Sequence, residues 1–263
     1  MCSTRSRVPA GPAGSGVASV TVTPSVVSEV VDRLREISLA LPKGDGAAVF
    51  NRIYRQVTEG MATELEAGST FRDPAFMAEL AVRFAGLWLA AHDAAAAGNK
   101  VPSAWAPLFE ERSTAGILDI QYALAGMNAH IEHDLPLAVV ATCRSRGVTP
   151  RRRSVREDYE SVNDLLARAE SEIRRSFLTE VGEHLDDEVG PLVHLVNAWN
   201  IDKARDLAWV SAETIWATRQ LAQLSARYVA MLGHTVGLAS RCLLTPVGRG
   251  LVQHGLVPTP VGG

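Results

Sequence analysis

Two histidines and an aspartate lie close together in the segment 128–134, which reads NAHIEHD. Residues at i, i+3 and i+4 share one face of an α-helix, so this spacing places His130, His133 and Asp134 side by side. Two imidazoles and a carboxylate can supply three ligands to zinc or iron. The same groups can instead form a His–Asp acid–base pair without a metal. Either chemistry makes these three residues the candidate catalytic site.

A purely structural role for the same segment is the main alternative. Pro136 follows closely, so the helix is expected to kink or end near His133. Asp134 would then cap the next segment, and the two histidines would be core residues bonded to backbone carbonyls. Glu132 points away from the shared face and is a weaker candidate than its neighbours.

The helix that must position this cluster is the most apolar one in the chain. From Ile117 to Met127 only Asp119 and Gln121 are clearly polar. A helix that is apolar nearly all round is usually central and buried on most sides. Its carboxyl end therefore brings three titratable groups next to the core, which is the reason to expect a pocket there.

A second candidate is Arg205, four residues before Trp209 on the apolar stripe of the last long helix. A charge on such a stripe needs a partner, and a carboxylate or an anionic ligand would serve. An arginine that snorkels at the edge of the stripe is the alternative. Weaker candidates, interpreted mainly as structural, are Asn51, Tyr54, Glu59, Asp158, Asn163, His194 and Asn197. The arginine run 151–153 is interpreted as a solvated loop, because no interleaved aromatic residues support nucleic-acid binding.

Hydrophobic stripes with helical spacing recur along the chain, and no segment shows the strict alternation of a half-buried strand. The sequence therefore predicts an all-α protein, a single-domain irregular bundle of about seven to nine helices. The helical domain is expected to span 24–245. The small-residue, Pro- and Gly-rich ends, 1–23 and 246–263, are expected to be flexible tails.

Composition limits the function classes. The formal net charge is −3 over 263 residues, so no global field recruits nucleic acid or an anionic membrane. The three cysteines form no CxxC pair, and no apolar segment has the form of a signal peptide or of a bilayer span. We therefore expect a cytoplasmic protein with a small-molecule ligand, no nucleic acid and no membrane. The oligomeric state is left open.

The segment 126–136, GMNAHIEHDLP, resembles the signature of a group of mostly actinobacterial proteins known only as a domain of unknown function. The segments 50–54 (FNRIY), 204–209 (ARDLAW) and 236–239 (VGLA) fit the same family. The resemblance extends from about residue 25 to 245 and implies one compact helical domain. It marks Asn128, His130, His133 and Asp134 as the polar signature, which adds Asn128 to the candidate catalytic residues. Glu132 occupies a variable position, where Asn is expected in many members, and no chemistry is implied.

The leading hypothesis is a small-molecule enzyme, with a tailoring role in secondary metabolism as one form of it. His130 and His133 would serve as ligands of zinc or iron or as general acid and base, and Asp134 as a ligand or orienting carboxylate. The alternative is a non-catalytic helical module that binds an apolar metabolite or a partner protein. A polar pocket open to solvent would favour the enzyme, and a cluster sealed in the core would favour the module.

Overall fold

The computed structural model of the chain describes residues 24–168, 171, 175 and 200–246. Within this part of the chain every regular element is a helix, as the hydrophobic stripes predict, and no strand is present. The elements are α1 (Pro24–Ala40), α2 (Gly46–Ala67), α3 (Pro74–Ala96), α4 (Ala106–Glu110), α5 (Asp119–Asn128), a π-helix (Ala129–Asp134), α6 (Leu135–Ser145), α7 (Arg153–Glu160), α8 (Ile201–Thr218) and α9 (Ala222–Leu243).

Several helices begin at residues whose side chains satisfy the free backbone amides of the first turn. Asp45 accepts from the amide of Ala47 at 2.8 Å, which starts α2. Asp73, just before Pro74, accepts from the amide of Phe76 at 2.9 Å, and an aspartate followed by proline is a typical sequence signal for such a helix start. At the start of α8 the side chain of Asn200 accepts from the amide of Lys203 at 2.9 Å.

Of the two expected outcomes at His133, a kink or an end of the central helix, the end is wrong. α5, the π-helix and α6 form one continuous helical rod from residue 119 to 145, and nearly all of its first half is buried. Pro136 has no N–H to donate to the carbonyl one turn earlier and would clash with it in a regular α-helix. The wider π register just before Pro136 relieves this conflict without stopping the helix.

Two other boundaries differ from the prediction. The long helix expected after the arginine run is interrupted, because α7 ends at Glu160 and a turn at residues 161–162 precedes a further helical stretch, 163–168. The last long helix is in fact two helices, α8 and α9, separated by residues 219–221. The predicted tail 1–23, all but the first residue of the predicted tail 246–263, and the weaker candidates His194 and Asn197 lie outside the described residues.

α3 is the one described helix that is long and apolar enough to cross a membrane, although no such segment was expected. Of its most apolar 18-residue window, 44 % is buried within the fold. α3 contacts α1, α2, α6 and the π-helix. A helix in the core of a bundle makes such contacts, and it can be as long and as apolar as a helix that crosses a membrane.

Candidate active site

Asp134 is the centre of a buried hydrogen-bond network at the junction of the π-helix and α6. Its Oδ1 atom accepts a hydrogen bond from Nδ1 of His133 at 2.8 Å, and its Oδ2 atom accepts one from Nδ1 of His130 at 3.1 Å. The indole Nε1 of Trp105 donates a third bond to Oδ2 at 2.9 Å. The carboxylate is only 2 % exposed. The three residues predicted to share one helix face are therefore joined directly, and Trp105 completes the group.

The protonation states follow from this geometry. Burial by itself would raise the pKa of Asp134, but the hydrogen bonds from His130 and His133 outweigh burial and hold that pKa below its usual value. Burial lowers the pKa of His130, and the interaction with Asp134 offsets this only in part. An ionised carboxylate can only accept, so Nδ1 of each ring carries a proton. Nε2 is then the atom of each ring at which a proton can be taken up or released.

His130 lies in a cage of aromatic side chains. Its ring stacks on Phe84 with centroids 3.6 Å apart and meets Tyr54 edge-on at 4.3 Å. Phe50 and Trp105 complete the cage, with centroids 5.6 Å and 5.8 Å from the imidazole. The ring is 2 % exposed, and its Nε2 atom is buried without a hydrogen-bond partner. His130 is therefore sealed in the core and can bond only to Asp134.

His133 has a different environment, because it lines a cleft of about 910 Å³. The segment 95–112 forms one wall of the cleft, and α9 forms the other through residues 229, 230 and 234. Ser103 lies beside His133 at the boundary between these walls. Its Oγ atom and Nε2 of His133 are 2.8 Å and 3.3 Å from the position that a Cβ atom on residue 233 would occupy. Gly233 thus leaves a small space next to both polar atoms.

The charged residues of the cleft are only partly compensated. Arg112 forms an ion pair with Asp45, and Glu110 forms one with Arg241. Lys100 also lines the cleft and, within the described part of the chain, forms no ion pair. The cleft therefore carries a surplus of positive charge at neutral pH, which favours an anionic ligand.

Asn128 and Arg205, the other two predicted catalytic residues, are not part of this cluster. Asn128 donates from Nδ2 to the carbonyl of Val236 at 3.0 Å and to Oγ of Ser240 at 2.9 Å, which ties α5 to α9. Arg205 lines a separate cavity. Neither residue lines the cleft of His133.

Two weaker candidates have structural partners. Asn51 donates from Nδ2 to the carbonyl of Leu34 at 2.7 Å and accepts from Nε1 of Trp88 at 3.0 Å. Asp158 accepts from the backbone amides of Arg72 and Asp73 at 2.7 Å and 2.9 Å, just before α3 begins. Both residues therefore join elements of the core.

A zinc or iron site at His130, His133 and Asp134 stays a prediction. Both Nδ1 atoms point at the carboxylate, whose two oxygens already accept hydrogen bonds, so Asp134 orients the rings instead of standing beside them as a third ligand. Within the described residues no group of three or more His, Cys, Asp or Glu side chains is placed to hold a metal ion. The donor set in this arrangement suits proton transfer better than metal ligation.

Sequence reasoning missed the roles of Ser103, Phe84 and Trp105. Trp105 directly precedes the short helix α4, and its local sequence does not indicate a contact with the cluster. The available signal was the pair Gly233 and Gly237 at i, i+4 on α9. A Cβ atom on residue 237 would lie 2.4 Å from the carbonyl oxygen of Ser103, so the glycines let α9 approach this loop closely.

The comparisons with known proteins agree with the resemblance seen in the sequence. The model of the family described as "Family of unknown function (DUF5995)" matches residues 27–246. This range includes all five residues predicted for the site. No curated protein and no solved structure matches the chain.

Proposed function

This chain belongs to the family of unknown function DUF5995. From the geometry of the site we propose that it is a small-molecule enzyme in which His133 acts as general base and general acid. The observation that carries the proposal is that Nε2 of His133 borders the cleft, while Nδ1 is held at 2.8 Å by a buried carboxylate. An imidazole oriented by a carboxylate in this way is a recurring arrangement in proton-transfer catalysis.

The roles within the site differ between residues. His133 takes a proton from a group bound in the cleft, and the imidazolium that forms is stabilised by Asp134 in a site of low exposure. Asp134 stays ionised because its pKa is held low. His130 and Trp105 fix the carboxylate through Oδ2 and do not touch the cleft. The reaction proposed for His133 requires no metal.

The proposed substrate is a small anion that places a protonated group beside Ser103 and His133. Lys100 supplies the uncompensated positive charge of the cleft. Hydrolysis would require the base to activate water, and isomerisation would require it to remove a proton from carbon. Both reactions start with proton removal by His133. A tailoring role in secondary metabolism, an actinobacterial source and a cytoplasmic location remain predictions from the sequence.

The non-catalytic module is kept as the second candidate because His130 and Asp134 are sealed. A binding module predicts that the whole cluster serves only to hold the π-helix in place. Under that hypothesis His133 would contribute to stability and would have no effect on any reaction.

Isotope incorporation tests the two candidates without knowledge of the substrate. The purified protein is incubated with a small-metabolite extract in D₂O or in H₂¹⁸O, and labelled products are detected by mass spectrometry. Deuterium on carbon reports proton abstraction, and ¹⁸O reports hydrolysis. The proposal expects labelling that His133→Gln abolishes and that His234→Gln, a variant of the exposed histidine in the same cleft, retains. No labelling, together with a large loss of stability in His133→Gln, would favour the module.

A further inference from the structure

A second cavity lies on the far side of Phe84 and Tyr54 from His130. It has a volume of about 90 Å³ and is lined by residues of α2, α3, the π-helix, α6 and α7. Its lining is almost entirely apolar and includes Met61, Met77, Leu80, Ile131 and Leu135. Arg205, from α8, is the one charged residue among the described residues of this lining.

Arg205 has too few partners for a buried cation. It is 6 % exposed, and its Nη2 atom donates to the backbone carbonyl of Tyr159. The guanidinium carbon lies 4.1 Å from the centroid of the Tyr159 ring. Its Nε–H is buried and has no hydrogen-bond partner. In the described segments no carboxylate is within ion-pair distance of Arg205: Asp202 and Asp206 act on it only at longer range, and Asp206 is bound to Arg156 at 3.1 Å.

A buried guanidinium with an unbonded donor is energetically unfavourable unless an anion binds to it. A guanidinium carries five N–H donors and stays protonated in proteins. Burial lowers the pKa of Arg205, which reflects the cost of removing the charge from water. Buried charges are normally paired, and buried donors normally form hydrogen bonds. The unbonded Nε–H of Arg205, beside an apolar cavity, therefore indicates that a ligand with a hydrogen-bond acceptor binds there.

We propose that this cavity binds a short-chain carboxylate of two or three carbon atoms, acetate or propanoate, because 90 Å³ is the share of about three water molecules and holds about four or five packed non-hydrogen atoms. The carboxylate accepts from Nε of Arg205, and the alkyl chain fills the space between Met61, Leu80 and Leu135. A dry apolar cavity disfavours a polar anion without a chain, and the single guanidinium disfavours a neutral or cationic head group.

The proposed site is separate from the cleft of His133. The two cavities share no lining residue, and the aromatic cage of His130 stands between them. The proposal therefore does not depend on the proposed acid–base function, and each can fail alone.

Calorimetric titration of the full-length protein tests the proposal, with propanoate as the probe and 1-propanol and propylammonium as matched probes of the head group. Propanoate is expected to bind saturably and to raise the thermal midpoint. We expect 1-propanol to bind at least about 10-fold more weakly, the ratio for loss of one hydrogen bond to a charged group. Propylammonium is expected not to bind. Binding of propanoate no tighter than that of 1-propanol would overturn the proposal.

Three variants locate the site. Arg205→Met is expected to weaken propanoate binding about 10- to 100-fold. Arg153→Met is the control, since Arg153 is an arginine of the adjacent helix α7 whose side chain is 91 % exposed and pairs with Glu157, and it should leave binding unchanged. Ala81→Leu fills part of the cavity while Arg205 stays in place, so it should also weaken binding and does not depend on the stability of Arg205→Met. Equal affinity in Arg205→Met and the parent protein would refute the assignment.

Discussion

Replacement of Asp134 by alanine is the sharpest test of the network at the π-helix. The substitution removes the carboxylate that accepts a hydrogen bond from each of Trp105, His130 and His133. The two imidazoles can move their protons to the other ring nitrogen, but the indole N–H of Trp105 cannot change and is fully buried. At least one donor is therefore left without a partner in the core.

The magnitude follows from the burial of the group. Removing one partner of a buried charged network costs about 3–5 kcal/mol. For a domain of this size 1 kcal/mol lowers the thermal midpoint by about 2–4 °C. We therefore expect Asp134→Ala to lower the midpoint by roughly 6–20 °C at pH 7.5. Asp32→Ala is the control, because this aspartate is 69 % exposed and pairs with Arg35 on the surface, where such pairs contribute about 0–1 kcal/mol.

Calorimetry or chemical denaturation of the two variants provides the measurement, and a double-mutant cycle identifies the cause. Trp105→Phe removes the indole donor, so it should cost less in the Asp134→Ala background than in the parent protein, with a coupling of about 0.5–3 kcal/mol. Costs that add to within about 0.5 kcal/mol would show that the bond between Trp105 and Asp134 does not stabilise the fold. A midpoint of Asp134→Ala within a degree of the parent protein would refute the description of the network.

Two further predictions concern pH and the glycines of α9. His130 is neutral when folded because burial lowers its pKa, but it takes up a proton below about pH 6.5 when unfolded, so stability should fall as the pH drops from 7.5 to 5.5 with a slope approaching about 1.4 kcal/mol per pH unit. Denaturation at several pH values should show a smaller slope in His130→Phe, and an equal slope in both proteins would contradict this. Gly237→Ala should destabilise the fold, because its Cβ would lie 2.4 Å from a backbone oxygen. Gly233→Ala should be milder, because Ser103 can rotate away, and it should impair labelling by filling the space beside His133. Gly86→Ala, with open space around it, is the control, and equal stability of all three variants would contradict the packing described for α9.

Much of the fold could be predicted because it depends on local signals. Asp73 followed by Pro74 marks the start of α3, and Asn200 marks the start of α8, since both side chains bond to amides within the same turn. The shared face of His130, His133 and Asp134 could be predicted for the same reason. Spacing along one helix determines which side chains are neighbours, whatever the rest of the chain does.

The rest of the site depends on contacts between residues far apart in sequence. Nothing near Trp105 indicates that its indole meets Asp134, 29 positions later, or that Phe84 covers His130. The π register could not be predicted either, because Pro136 is usually a signal that a helix ends. Arg205 was correctly singled out as a buried charge in need of a partner, but the sequence does not show that its cavity lies away from the His–Asp cluster.

The two histidines differ in environment, and this difference explains how Asp134 can both stabilise the fold and support the proton transfer proposed for His133. Oδ2 of Asp134 is saturated by His130 and Trp105, two donors that are themselves fixed in the core. Oδ1 is left to His133 alone, the one ring of the pair that borders the cleft. In the proposed reaction, a proton taken up at Nε2 of His133 therefore meets a carboxylate that is already ionised and already oriented. Because Asp134 does not have to reorient during this transfer, its hydrogen bonds to His130 and Trp105 lower the free-energy cost of forming the His133 imidazolium.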